Sequence, residues 1–308
     1  MCQPDLSRVP LTAESDVSPG SSRATSPSNW NSSNKDETSQ RRASSALHPL
    51  LSAITGVVLA LGAHAFSTWF PQQLWASDVY QPAGYDYDPS LSFFDNSAWT
   101  YLTDYGLALV MLVLASNVPH TPSRGLLLVY ALSVTAGGLA HQFFCTLESR
   151  NALSFRLLWT LCIGSVTGAS GFMGTIASDL DGARVPHAVW KAFGVTSTLI
   201  CALGGMSYQR PACDTFIAGT TQTLSTFYTM AVLSQQTYVS WWVRAMGMFG
   251  FIFNAPLLPM YPLLIRYTDW SLARVNTLLH GWLLVAWGLQ GLSLGIVFRH
   301  SKCKLKSS

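Results

Sequence analysis

Charged side chains are scarce in this chain of 308 residues: Asp, Glu, Lys and Arg together make up 11%, less than half the share of an ordinary soluble protein. That shortage excludes a soluble domain with a normal charged surface. Between residues 71 and 98 there is no Lys or Arg at all. The six cysteines (Cys2, Cys145, Cys162, Cys201, Cys213 and Cys303) show no metal-knuckle or redox spacing. No HExxH motif occurs to fix two ligands on one helix face. No internal repeat is evident either, so the sequence mark of an inverted-repeat transporter is missing. Residues 1–46 contain no apolar h-region and do not read as a signal peptide.

What is present is apolar length. From His48 to Phe298 long hydrophobic stretches recur, each able to span ~30 Å of hydrocarbon. The expected fold is therefore an all-α, polytopic transmembrane bundle of about eight spans. Their approximate limits are 48–70, 99–118, 125–147, 153–177, 187–207, 215–235, 241–265 and 272–298. Residues 1–46, rich in Ser, Thr, Pro, Asn and Asp, offer too little apolar surface to offset ordering entropy and are expected to form a disordered tail. Residues 47–299 form the bundle and residues 300–308 a basic tail.

Charge placement sets the expected orientation. The first link, 71–98, carries Asp78, Asp86, Asp88 and Asp95 with no cation, so it is expected outside and both termini in the cytosol. On that topology the inner side collects 13 Lys and Arg and the outer side 5. Arg41, Arg42, Arg299, Lys302, Lys304 and Lys306 flank the first and last spans, which implies contact with anionic membrane lipids and needs no nucleic acid as partner. Arg41-Arg42-Ala43-Ser44 has the pattern that basophilic kinases accept, making Ser44 a candidate phosphosite. Cys145 and Cys213 both fall near the outer face, which leaves a disulfide between them open.

Three spans are unusual. The fourth carries Gly164, Gly168, Gly171 and Gly174, a stripe that lets helices approach closely. The sixth is rich in hydroxyls (Thr220, Thr221, Thr223, Ser225, Thr226) and is expected to face other helices or water. The seventh contains Asn254, Pro256, Pro259 and Pro262, and is expected to kink or break.

Ionisable groups inside spans are rare because burial is costly, so each is a candidate functional residue. The set is His64, Asp104, His141 and His280, with Asn276 one turn before His280 on the same helix face. On the expected topology all four ionisable groups lie in the outer half of the membrane. Three imidazoles and a carboxylate suit zinc in ligand type, so Asp104, His141, His280 and His64 are candidate metal ligands. Asp104, His141, His280 and Asn276 are the candidate catalytic residues, acting through a metal or as a proton relay. The alternative is structural: a buried hydrogen-bonded pair for Asp104 and a histidine, and an interfacial role for His64.

Asp and His residues dispersed over many spans resemble, in residue type, the alkaline ceramidase and adiponectin receptor superfamily of intramembrane zinc hydrolases. The family's S-x-x-x-H, Asp, H-x-x-x-H order is not reproduced, since His280 is followed by Leu284 and His141 by Cys145. The stretches Leu102-Thr103-Asp104-Tyr105, Gly137-Gly138-Leu139-Ala140-His141 and Asn276-Thr277-Leu278-Leu279-His280 are also similar to polytopic membrane proteins without an assigned activity. The resemblance implies a membrane hydrolase acting on a lipid or other amphipathic substrate. Two other readings stand beside it. One is a transporter or channel using the sixth and seventh spans; the other is a receptor or scaffold using loop 71–98.

Overall fold

The structure is a computed structural model that describes residues 33–74, 95–207, 214–254, 264 and 267–307. Among the described residues there is no strand. The long helices are α1 (Ser33–Leu74), α2 (Ala98–Asn117), α3 (Thr121–Phe143), α5 (Leu153–Leu180), α6 (His187–Ser207), α7 (Asp214–Ser234) and α9 (Leu272–Ser307). Two shorter ones are α4 (Leu147–Asn151) and α8 (Trp241–Ile252).

Five stretches within these helices are long and apolar enough to cross a membrane: His48–Ser67, Ala98–Asn117, Thr121–Phe143, Leu153–Leu180 and Ala273–Ser301. Large apolar side chains such as Val58, Leu109, Leu199 and Leu203 stand exposed on the outer helix faces, an arrangement consistent with an integral membrane protein. The sequence reading expects eight spans; the other three expected segments fall on α6, α7 and α8. The described apolar part of α6 is His187–Leu203. Helix α7 has full length, but its hydroxyls lower its hydropathy. Helix α8 stops at Ile252, ahead of Asn254 and Pro256, where proline both lacks a backbone donor and disfavours helix at the residue before it. The indole N–H of Trp282 donates to the Phe253 carbonyl at that end (2.5 Å), satisfying an acceptor that the broken helix leaves over.

Helix α1 begins at Ser33 and so takes in the second part of the expected 1–46 tail, with Ser44 in it. Residues 1–32 lie outside the described residues, as does Cys213, the expected partner of Cys145. Helix α9 continues through residues 300–307, the expected basic tail.

Helix α5 is central, packing on α3, α6 and α7, while α1 packs on α6 and α7. At the other side α2 packs on α3 and α9, and α9 on α8. The glycine stripe of α5 faces α6. A Cβ on Gly171 would come within 2.9 Å of Gly194 Cα, and the Trp190 ring lies against Gly174. In the core, Tyr130 of α3 and Trp287 of α9 stack with ring centroids 3.9 Å apart. Gln290 donates to the Gly250 carbonyl of α8 at 2.9 Å and accepts from Tyr130 Oη at 3.3 Å.

The α7 hydroxyls are spent on helix contacts. Thr229 donates to Met173 O and Ser225 O, and Ser225 to Gln222 O. Gln222 donates to Val166 O at 2.8 Å and accepts from Asn254 at 3.1 Å. The sixth-span residues thus tie α7 to α5 and to the end of α8.

Candidate functional site

The polar cluster forms where the start of α2, the end of α3 and the first turns of α9 meet. It begins with the segment entering α2. Asp95 accepts from the Ser97 N–H (2.9 Å), the Ser97 hydroxyl (3.0 Å) and the Thr100 hydroxyl. Ser97 is the N-cap of α2, so Asp95-Asn96-Ser97 is a cap that also reaches other helices. Asn96 donates to His141 O at 2.6 Å, and Asn276 of α9 donates to Asp95 Oδ2 at 3.3 Å. Burial pushes the Asp95 carboxyl up, but the donors from Thr100, Ser97 and Asn276 outweigh it and hold the group below its ordinary range.

His141 presents Nδ1 to the Asp95 carbonyl oxygen at 2.5 Å. A carbonyl only accepts, so Nδ1 carries a proton. The ring meets Trp159 edge-on, with centroids 5.8 Å apart.

Asp104 is 3% exposed. It sits on α2 against the paired glycines of α3: a Cβ on Gly138 would lie 3.1 Å from Asp104 Cβ, and one on Gly137 3.7 Å from Asp104 Oδ2. Gly137-Gly138 thus provide the notch that lets this side chain enter the bundle. Oδ1 lies 3.2 Å from His280 Nε2, and Oδ2 is buried without a hydrogen-bond partner. On the other side of the same imidazole, His280 Nδ1 lies 2.7 Å from Thr103 Oγ1. That hydroxyl also contacts Trp99 O (2.6 Å) and Thr100 O (2.8 Å), so three acceptors compete for its single proton. One ring therefore links a hydroxyl to a buried carboxylate.

Four of the residues named from sequence (Asp104, His141, His280 and Asn276) come together here. His64 does not. It lies on α1, which packs on α6 and α7, and bonds the Ser197 backbone of α6. The four-ligand zinc set does not assemble: among the described residues no three His, Cys, Asp or Glu side chains are grouped to hold a metal ion. The physical reason is local. Both nitrogens of His280 have protein partners, Asn276 is turned to Asp95 and not to the imidazole, and His64 is elsewhere.

Sequence reasoning passed over Asp95, Thr100 and Thr103. Asp95 was counted with the acidic loop, although Asp-x-Ser directly before an apolar run is a cap signature that ties it to α2. Thr103 is adjacent to Asp104 in sequence, but only the structure shows both touching one ring. A second polar group lies at the opposite end of the bundle. Asp179 of α5 is 3.0 Å from both His120 Nε2 and His187 Nε2. They join the start of α3 and the start of α6 to the end of α5.

Compared with known protein families, curated proteins and solved structures, the chain matches none.

Proposed function

We propose that this protein is a multi-pass membrane enzyme of hydrolase type that acts on a lipid or other amphipathic ester or amide, with Thr103, His280 and Asp104 as a hydroxyl–imidazole–carboxylate array. The observation that carries this reading is the single His280 ring, with Thr103 Oγ1 at 2.7 Å from Nδ1 and Asp104 Oδ1 at 3.2 Å from Nε2. A nucleophile within reach of a base that is itself oriented by a third group is the arrangement that activates hydroxyls in acyl transfer. No step is assigned to a metal.

With Asp104 ionised, His280 holds its proton on Nε2, donated to Oδ1, and Nδ1 is free to accept. Thr103 Oγ1 attacks the acyl carbon, and its proton passes to Nδ1. The leaving alcohol or amine takes that proton as its bond to the acyl carbon breaks, leaving an acyl ester on Thr103. Water then adds in the same way, gives a proton to Nδ1, and Thr103 recovers it as the acid departs. The sum is ester plus water to acid plus alcohol. Asn276, Asp95 and His141 act through others: they fix the entry to α2 and so the height of Thr103 and Asp104 against α9. They are positioning residues.

Chromogenic acyl esters of graded chain length, presented to the purified protein in lipid nanodiscs, test the reading. Thr103→Ala and His280→Ala should each reduce turnover by about 100-fold or more, the usual scale for general acid–base groups, while Thr103→Ser retains a nucleophile and much of the rate. Equal turnover by wild type and Thr103→Ala, or none by wild type, would sink it.

The same reading takes the chain to cross the bilayer about eight times with both ends cytosolic, supported by the cation-free link 71–98 and the basic ends. A glycosylation sequon engineered near Pro82 should be modified in cells, and one in either tail should not. Modification of the tails instead would reverse the orientation.

A further inference from the structure

Beside the array, between the start of α2 and the first half of α9, lies a cleft of about 800 Å³ lined by Trp99, Trp270, Arg274, Gly281, Trp282 and Val285, among others. It is an open groove on the face of the bundle, not an enclosed cavity. The cleft adjoins the array on both walls. Trp99 stands one turn before Thr103 on α2, and its carbonyl is a partner of the Thr103 hydroxyl. On α9, Thr277 and Gly281 flank His280, and both line the cleft.

Two features mark this cleft. Arg274 stands at one end with the guanidinium 4.3 Å over the Trp270 ring, and among the described residues it pairs with no carboxylate. One wall is braced, since Trp282 stacks on Phe253 with centroids 3.8 Å apart and its N–H is bonded to the Phe253 carbonyl. Gly281 adds no side chain, and a Cβ there would meet nothing within 4 Å.

The polarity runs in one direction. From Arg274 to His280 is six residues, about 9 Å along the helix, and from Arg274 to Val285 about 16 Å. A cation therefore marks one end and apolar side chains line most of the rest, while the hydroxyl–imidazole array lies behind the wall, level with Thr277 and Gly281, without lining the cleft itself.

We propose that this cleft binds a single-chain acylated amphiphile with an anionic headgroup, the head on Arg274, the acyl carbonyl at the level of Thr103 and the alkyl chain along the aromatic wall. The catalytic placement of the carbonyl rests on the function proposed above; the binding site does not. Arginine suits a phosphate or carboxylate head because its planar fork donates two hydrogen bonds at once. A two-chain lipid needs more room than one cleft of this size gives.

The test is binding, measured without turnover. A lysophosphatidate carrying a diazirine in its acyl chain is photolysed with the full-length Thr103→Ala protein in phosphatidylcholine nanodiscs, and the labelled peptides are mapped by mass spectrometry. Label should concentrate in residues 270–285 and be displaced by unlabelled lysophosphatidate but not by the neutral monoacylglycerol. Arg274→Gln should reduce it at least about fivefold, the effect of one lost charge-assisted contact, and Arg274→Lys should keep most of it. Gly281→Phe, which fills open space without meeting protein, should abolish it in a folded molecule. Label spread over the bundle, equal displacement by monoacylglycerol, or indifference to both Arg274→Gln and Gly281→Phe would overturn the site. Binding with these dependences in a protein that hydrolyses nothing would reject the catalytic reading and leave the site standing. Hydrolysis that ignores Arg274 and Gly281 would do the reverse.

Discussion

Asp104→Asn should reduce hydrolysis of acyl amphiphiles by about 100- to 10,000-fold, the range of a lost acid–base partner, and leave the protein folded. The side chain keeps its shape, so the notch against Gly137 and Gly138 stays filled. What changes is the proton on His280. A carboxylate at Oδ1 can only accept, which places the ring proton on Nε2 and leaves Nδ1 able to take the Thr103 proton. An amide can donate to Nε2, which stabilises the other tautomer and leaves Nδ1 protonated and unable to act as base. Stability should not fall with activity. Asp104 Oδ2 is buried and without a hydrogen-bond partner, so the native carboxylate already stands in an unfavourable place, and a neutral amide is easier to bury. Asp104→Leu behaves differently. It removes the partner of His280 Nε2 and strands a buried polar atom, at a cost of about 1–3 kcal/mol. Turnover in nanodiscs and thermal unfolding in detergent, measured on both variants, separate the cases. If Asp104→Asn turns over as wild type while only Asp104→Leu is destabilised, the pair orders the bundle and does no chemistry.

The sequence marked which residues are costly to bury but not which helices are neighbours. Asp104, His141 and His280 meet where α2, α3 and α9 converge. His64 lies on α1 against α6, because hydropathy says nothing of which helices pack together. The array itself was half legible. Asp104 and His280 stood out as costly charges in apolar runs, whereas Thr103 did not, since a threonine in a membrane helix normally bonds its own backbone, as this one also does. Asp95 was hidden by its position in a loop whose acidity suggested solvent. The α7 hydroxyls suggested either helix contacts or a wet path, and their bonds to α5 answer for the former.

Gly171→Ala should destabilise the bundle by about 1–3 kcal/mol, the scale of overpacking in a close-packed interior, although alanine is the better helix former. Helices α5 and α6 touch through backbone at this point. The added methyl would come within 2.9 Å of both Gly194 Cα and Trp190 O, and neither is the end of a side chain that can swing away. The helices must therefore separate, and the contact cannot be relieved locally. Separation also loosens Trp190, whose ring is seated against Gly174, and disturbs α3 and α7, which pack on the same α5. Gly62→Ala in α1 is the control, since a Cβ there meets nothing within 4 Å. That substitution gains the same helical propensity, up to about 1 kcal/mol, without the clash. The difference between the two variants in thermal unfolding isolates the packing contribution. A Gly171→Ala protein as stable as Gly62→Ala would mean that α5 and α6 can part without loss, and the glycine stripe would then not be what holds the centre of the bundle together.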